Sequence, residues 1–259
     1  MQSVSHGSSD MLSKSQISFI KSLHQKKFRK EHRLFIVEGI KSVTEFIHSE
    51  YIVTDVYCTE NVMPKLANLS QKIKLHQISE SDLDRISTLT TAQNVLALVR
   101  LPDNKDIETL HLNGTFTLAL DGVQDPGNLG TIIRTADWFG IPQIICSEDC
   151  VEAYNPKVVQ ATMGSLSRIK VRYGDLPAIL KNTEVPVFGT LLNGTPITET
   201  QFGDEGVIVL GNEGSGISEA VINEISNRVT IPGLGKAESL NVAVCASLFC
   251  YELRRNILK

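Results

Sequence analysis

Three polar, glycine-rich stretches in the C-terminal half carry the residue types from which a site can be built. DGVQDPGNLGTIIRTADWFG (Asp121–Gly140) sets Asn128 at the expected start of a helix, where a short amide caps well, and Arg134 about two turns inside it. VIVLGNEGSGIS (Val207–Ser218) gathers Gly211, Gly214 and Gly216 around Glu213. IPGLGKAESLNVAVCASLFC (Ile231–Cys250) runs a glycine loop into a helix that Ser239 is placed to cap. Glycines let backbone amides and carbonyls approach a ligand closely, and nucleotide-like ligands are the usual beneficiaries. The familiar phosphate patterns fail here. Gly235–Lys236 is followed by Ala237 rather than the Ser/Thr that would meet magnesium, and GNEGSG lacks the spacing of G-x-G-x-x-G. The residues alone therefore indicate a nucleotide-type ligand in a Rossmann-like frame and leave the chemistry open.

Such loops need strands to end on and helices to open. Short apolar runs alternate with helical stretches: TFTLAL (Thr115–Leu120), a helix from about Asn128 to Phe139, QIIC (Gln143–Cys146), and a helix around Pro156–Met163. SRIKVRY, VPVFGT, GVIVLGNE and RVTIP supply further strands, and Ser239–Leu258 a long final helix. Continuous Val/Ile strands alternating with helices imply a parallel sheet covered on both faces. Ligands of such sheets bind at the carboxyl edge, where all three loops fall.

The leading third has a different character. Ile17 to Arg33 sets Ile17, Phe19, Ile20, Leu23 and Phe28 among lysines and arginines, a basic helical pattern. LFIVEG, Tyr51–Cys58, Lys74–Gln77 and Val95–Val99 read as strands, and Lys41–His48 and Ser81–Ser87 as helices. The expected organisation is a disordered tail over 1–13, a small α/β domain over 14–100, a linker over 101–113 and a second domain over 114–259. The net charge of −4 hides an asymmetry: +3 through Leu101 and −7 from Pro102 onward.

Composition sets the outer bounds. An apolar fraction of 42% with 18 Gly and 9 Pro excludes collagenous, coiled-coil and wholly disordered classes. No apolar run approaches the roughly 20 residues that span a bilayer, and MQSVSHGSSD lacks the apolar core of a signal peptide, so a cytoplasmic protein without a membrane partner is expected. Five cysteines without CxxC spacing point to reduced, buried thiols and to no metal.

NLGTIIRTADWFG, VIVLGNEGSGIS and IPGLGKAESLNVAVCASL, in this order and separation, resemble the three motifs of the SpoU/TrmH family in the SPOUT methyltransferase superfamily. The resemblance runs from about Thr115 to the C-terminus, and KKFRKEHRLFIVEG is similar to the RNA-binding domain that often precedes it. It implies an RNA 2′-O-ribose methyltransferase of α/β fold whose C-terminal chain is threaded into a deep trefoil knot, which general chain topology would never suggest. It implies S-adenosylmethionine as cofactor, held largely by backbone groups at positions matching Thr190, Leu210, Gly211, Asn212, Ile231 and Leu240. It implies a homodimer in which the last helix is both knot and interface. Carried over position by position, Arg134 matches the catalytic arginine and Asn128 the residue holding the reactive hydroxyl or its neighbouring phosphate. Glu213 orients the arginine or a loop, and Ser239 and Asn241 complete the polar wall. Ribosomal RNA is expected before tRNA because a separate domain leads the chain; a tRNA methyltransferase and an inactive RNA-binding relative are the alternatives.

Elementary chemistry narrows these roles. A guanidinium with a pKa above about 12 is a poor base, so Arg134 is expected to hold a phosphate and stabilise the developing alkoxide. A nicotinamide oxidoreductase is disfavoured by the missing dinucleotide fingerprint. Phosphate contacts are expected from Lys26, Lys27, Arg29, Lys30 and Arg33, with Phe28 and Phe35 read as core rather than base-stacking residues. SLSRIKVRY is polar for a strand, which leaves Ser165 and Arg168 as further RNA candidates.

Overall fold

The computed structural model describes residues 11–66, 71–103, 110–255 and 257. Most of the expected tail and residues 104–109 of the expected linker lie outside them. The chain divides into two compact units, one reaching to Pro102 and including Tyr154–Ser167, the other comprising Asp103–Ala153 and the chain from Arg168 onward.

The first unit begins at a capping box. Ser13 Oγ accepts from the Gln16 N–H while the Gln16 side chain accepts from the Ser13 N–H, starting α1 (Lys14–Ser22). Leu12 is buried and its N–H donates to Asp82, so order reaches into the expected tail. The single basic helix expected over Ile17–Arg33 is two, because the chain turns at Leu23–Gln25 before α2 (Lys26–His32). Then follow β1 (Leu34–Glu38), α3 (Ile40–Ile47), β2 (Val53–Cys58), β3 (Lys74–Gln77), α4 (Glu80–Ile86) and β4 (Val95–Arg100). The sheet order is β1-β4-β2-β3, antiparallel except for the β2/β3 pair. Ile17, Ile20 and Leu23 cover one face against Ile36, Tyr57, Leu96 and Leu98. Phe35, on β1, meets the rings of Phe46, Tyr51 and Tyr154, the last leading into a short helix at Pro156–Ala161.

In the second unit β5 (Phe116–Leu120), β6 (Gln143–Ser147), β7 (Lys170–Gly174), β8 (Val187–Pro196), β9 (Gly206–Leu210) and β10 (Asn227–Thr230) form an all-parallel sheet, ordered β10-β8-β9-β5-β6-β7. Every residue of β5, β6 and β9 is buried, as strands covered on both faces require. The helices are α5 (Pro126–Trp138), α6 (Pro156–Ala161, packed in the first unit), α7 (Leu176–Lys181), α8 (Glu219–Ile222) and α9 (Val242–Arg254). Leu176, Leu180 and Val221 bury one side of the sheet with Ala119, Ile145, Val187 and Val209. Helices α5 and α9 run side by side in the same direction. Thr135 and Ser247 hydroxyls lie 3.3 Å apart midway, and Arg254 donates to the Phe139 and Gly140 carbonyls where α5 ends.

Candidate active site

Both long helices start at residues other than those expected, and the difference builds the site. Asp125 caps α5, its carboxylate accepting from the Asn128 N–H at 2.8 Å, with Pro126 pre-set at the first helical position. Asn128 is therefore already two residues inside the helix and its amide is spared from capping. The reverse holds for α9. Its cap is Asn241, whose Oδ1 accepts from the Ala243 and Val244 N–H groups at 2.8 and 3.3 Å. Ser239 lies two residues earlier on exposed chain, too far upstream for those donors.

These starts create a directed hydrogen-bond chain. Asn241 Nδ2 donates to Asn128 Oδ1 at 2.9 Å, and Asn128 Nδ2 donates to Glu213 Oε1 at 2.8 Å. Its polarity is not free to reverse: the α9 N–H groups claim the Asn241 oxygen, and a carboxylate only accepts. Residues from three distant loops thus meet in one line. Because α5 and α9 are parallel, both positive helix ends fall beside that line, where the Glu213 carboxylate is electrostatically favoured.

The loop after β9 is clamped to the loop after β5. Asn212 Nδ2 donates to the Gly122 carbonyl at 2.6 Å, while Asn212 Oδ1 accepts from the Gly214 and Ser215 N–H groups. A Cβ on Gly211 would stand 2.3 Å from the Gly216 carbonyl carbon, so only glycine allows the loop to fold back on itself. Asp121 accepts from the Ser218 N–H at 2.6 Å, and the Gly122 N–H donates to Ser147 Oγ at 2.8 Å. Beneath lies a thiol pair: hydrogen bonding from Cys146 lowers the Cys150 pKa to about 7, and the same bond, with burial, holds the Cys146 thiol well above its ordinary value. Asp121, Ser147 and the thiol pair carry no motif signal in the sequence.

Arg134 is exposed and makes no hydrogen bond or ion pair among the described residues. It follows Asn128 by six residues, roughly 9 Å along the helix axis, and the structure does not join it to the amide chain. Thr190 and Ile231 are half-buried, Leu210 buried and Leu240 exposed. Residues 232–240 are exposed and form no backbone–backbone hydrogen bond among the described residues. No cluster of His, Cys, Asp or Glu able to hold a metal occurs among the described residues, and none of their helices is long and apolar enough to cross a membrane.

In the first unit the basic set needs correction. Arg29 is 2% exposed, and its guanidinium donates to the Leu23 and His24 carbonyls at 3.0 and 2.9 Å, closing the turn between α1 and α2. A guanidinium so committed cannot meet phosphate. Arg33 is exposed but donates to the Pro102 carbonyl at 2.7 Å. Lys26, Lys27 and Lys30 are exposed; Phe35 is buried as expected, but Phe28 is only half-buried. The further RNA candidates fall away, since Ser165 is buried and Arg168 holds Asp137 in a bidentate pair at 2.7 to 3.1 Å.

A family model described as SpoU rRNA Methylase family matches residues 115–251, and another, described as an MRM3-like substrate binding domain, matches residues 14–97. The 23S rRNA (guanosine(2553)-2′-O)-methyltransferase RlmP of Bacillus subtilis is 34% identical over 238 residues, covering 90% of this chain and 94% of its own. A TrmH-family protein of Porphyromonas gingivalis superposes with a TM-score of 0.87 at 38% identity, covering 95% of this chain and 100% of its own. The AdoMet-bound rRNA methyltransferase of Sinorhizobium meliloti superposes with a TM-score of 0.88 at 28% identity, covering 96% and 99%. With its three motif loops converging on one sheet edge and these matches along nearly its whole length, the chain belongs to the SpoU rRNA Methylase family.

Proposed function

We propose that this chain transfers the methyl group of S-adenosylmethionine to a ribose 2′-hydroxyl of ribosomal RNA. The observation that carries the reading is the Asn241–Asn128–Glu213 chain, which draws all three motif loops to the carboxyl edge of a parallel sheet. The cofactor fits this surface. Among the described residues the exposed run 232–240 offers N–H and C=O groups free of backbone–backbone hydrogen bonds next to the exposed side chains of Leu234 and Leu240, the mixture of polar edges and apolar wall that an adenosyl group requires. Thr190, Leu210–Asn212, Ile231 and Leu240 would hold it, and when bound it supplies an electrophilic methyl carbon.

The protein's own part is alignment and charge. Asn128 is held by its two partners so that one face of the amide region is fixed before RNA arrives, which removes an orientational cost from the reaction. Arg134, without a partner among the described residues, binds the phosphate next to the reactive ribose and stabilises the oxygen as it loses its proton to water or phosphate. The parallel N-terminal ends of α5 and α9 add positive potential beside the Asn128 amide.

The active form is a homodimer. Val244 (48% exposed), Leu248 (41%) and Tyr251 (52%) form a stripe at helical spacing on α9, and Trp138 at the end of the neighbouring α5 is 85% exposed. An apolar surface of that kind is expected to be covered by a second copy. The C-terminal chain between β10 and α9 is threaded as a knot, in keeping with the family. The site of action is the cytosol, supported by five cysteines that are all unpaired. Incubating the protein with labelled S-adenosylmethionine and fractionated cellular RNA tests the reading. Label in the ribosomal fraction, stable to alkali as a 2′-O-methyl ribose, is the expected result; label confined to tRNA moves the substrate, and label on bases overturns the chemistry.

A further inference from the structure

Six of the nine phenylalanines are buried, yet Phe19 is 36% exposed and Phe28 half-exposed, and both contact the exposed ring of His32. Phe28 lies nearly parallel to His32, with 11° between planes and 6.3 Å between centroids, and Phe19 meets it edge-on at 4.9 Å. The Lys27 ammonium stands 5.7 Å from the Phe28 centroid. Residues 14–33 carry seven cationic side chains against Glu31 alone. Of these, Arg29 and Arg33 are committed to backbone carbonyls, while Lys26, Lys27 and Lys30 are exposed and Lys27 stands beside the Phe28 ring.

We propose that Phe19, Phe28 and His32, edged by Lys27, form a stacking platform for an unpaired RNA base, whose flanking phosphate Lys27 neutralises. The proposal rests on RNA being the substrate and names the form in which RNA is held. A base in a duplex hides its faces in the stack, whereas a base in a loop or bulge can lay one on an aromatic ring. A solvent-exposed ammonium over a ring is weakly held, so Lys27 yields that position to a base and turns to phosphate. A purely structural role for the rings is hard to reconcile with their exposure, since burying them is what would stabilise the α1/α2 corner.

The test uses the full chain, an unstructured RNA carrying 2-aminopurine, and a duplex of equal length. Binding of the single strand is expected to quench the 2-aminopurine emission. Phe28→Leu combined with His32→Leu is expected to abolish the quench and weaken single-strand affinity about tenfold, leaving the salt dependence unchanged. Phe28→Trp retains the stack and so guards against a folding artefact. Lys27→Glu is expected to flatten the logarithmic salt slope by about 0.7 while the quench persists. Absence of a quench, wild-type affinity in the Phe28/His32 variant, or equal loss of duplex and single-strand binding overturns the platform. Methyl transfer to cellular RNA is followed in parallel: transfer without a quench overturns the platform alone, whereas absent transfer overturns the reading beneath it.

Discussion

Exchanging Asn128 for aspartate reverses one link of the amide chain while leaving its shape intact. The change removes the Nδ2 donor that Glu213 Oε1 accepts at 2.8 Å. A hydrogen bond to a charged group is worth about 1.5–3 kcal/mol, here the lower end because Glu213 is exposed. Two carboxylates then face each other in a water-like dielectric, adding about 1 kcal/mol of repulsion at contact distance. The sum, about 2–3 kcal/mol, parts the α5 and β9 loops by roughly 30- to 160-fold in equilibrium constant. Pairing Asn128→Asp with Glu213→Gln restores a donor opposite the new carboxylate, while Asn241 Nδ2 still has an oxygen to donate to. Calorimetric titration of S-adenosylmethionine into the wild type, both single variants and the double variant reads the cycle. The double variant is expected to recover to within about 1 kcal/mol of wild type. A double variant no better than Asn128→Asp would refute the idea that donor polarity ties these loops together. If affinity returns but methyl transfer does not, Asn128 also touches the substrate.

Three other outcomes are expected. Gly211→Ala forces a Cβ to 2.3 Å from the Gly216 carbonyl carbon, so the β9 loop must open; thermal melting should fall by several degrees and cofactor affinity should drop together with it. Arg134→Lys keeps the charge but loses the planar donor pair, so turnover is expected to slow by about tenfold or more while Tm stays unchanged, the side chain being exposed; near-normal turnover counts against the phosphate-holding role. Burial raises Cys58 to about 11 and Cys250 to about 12, above the ordinary 9.0. The unfolded chain then loses these protons first, so stability is level below pH 9 and falls between 9 and 12, by up to about 1.4 kcal/mol per pH unit for each thiol. Urea melts of Cys58→Ala across that window should show a shallower decline, and identical slopes would dismiss the thiol as a cause.

Much of this architecture is legible in residue order because the informative patterns are local. Strands such as GVIVL and FTLAL are continuous apolar runs bounded by glycine or charge, and only a doubly covered sheet accommodates them. The motif strings name Asn128, Glu213 and Asn241, and these three do meet. What escapes the sequence depends on reach across the fold. Whether Asp125 or Asn128 caps α5 is decided by Pro126, which sets the first helical residue. Arg29 looks like its basic neighbours until α2 turns it onto the Leu23 and His24 carbonyls. LPAILK and EAVI are too short for a helical period to show, so nothing in their residue order announces α7 and α8. The resemblance sets Asn212 at the cofactor, yet its side chain is occupied in clamping two loops.

Helix α6 has a practical bearing on how genes of this kind can be recombined. It is encoded between β6 and β7, yet Tyr154 packs on Phe35 and Val158 and Val159 are buried within the first unit. A cassette ending at Pro102 would therefore leave behind part of its own interior, and the remaining chain would display those side chains to water. Successful exchange of the leading module between homologues should require grafting Tyr154–Ser167 as well, so the two stretches are expected to be inherited as one block.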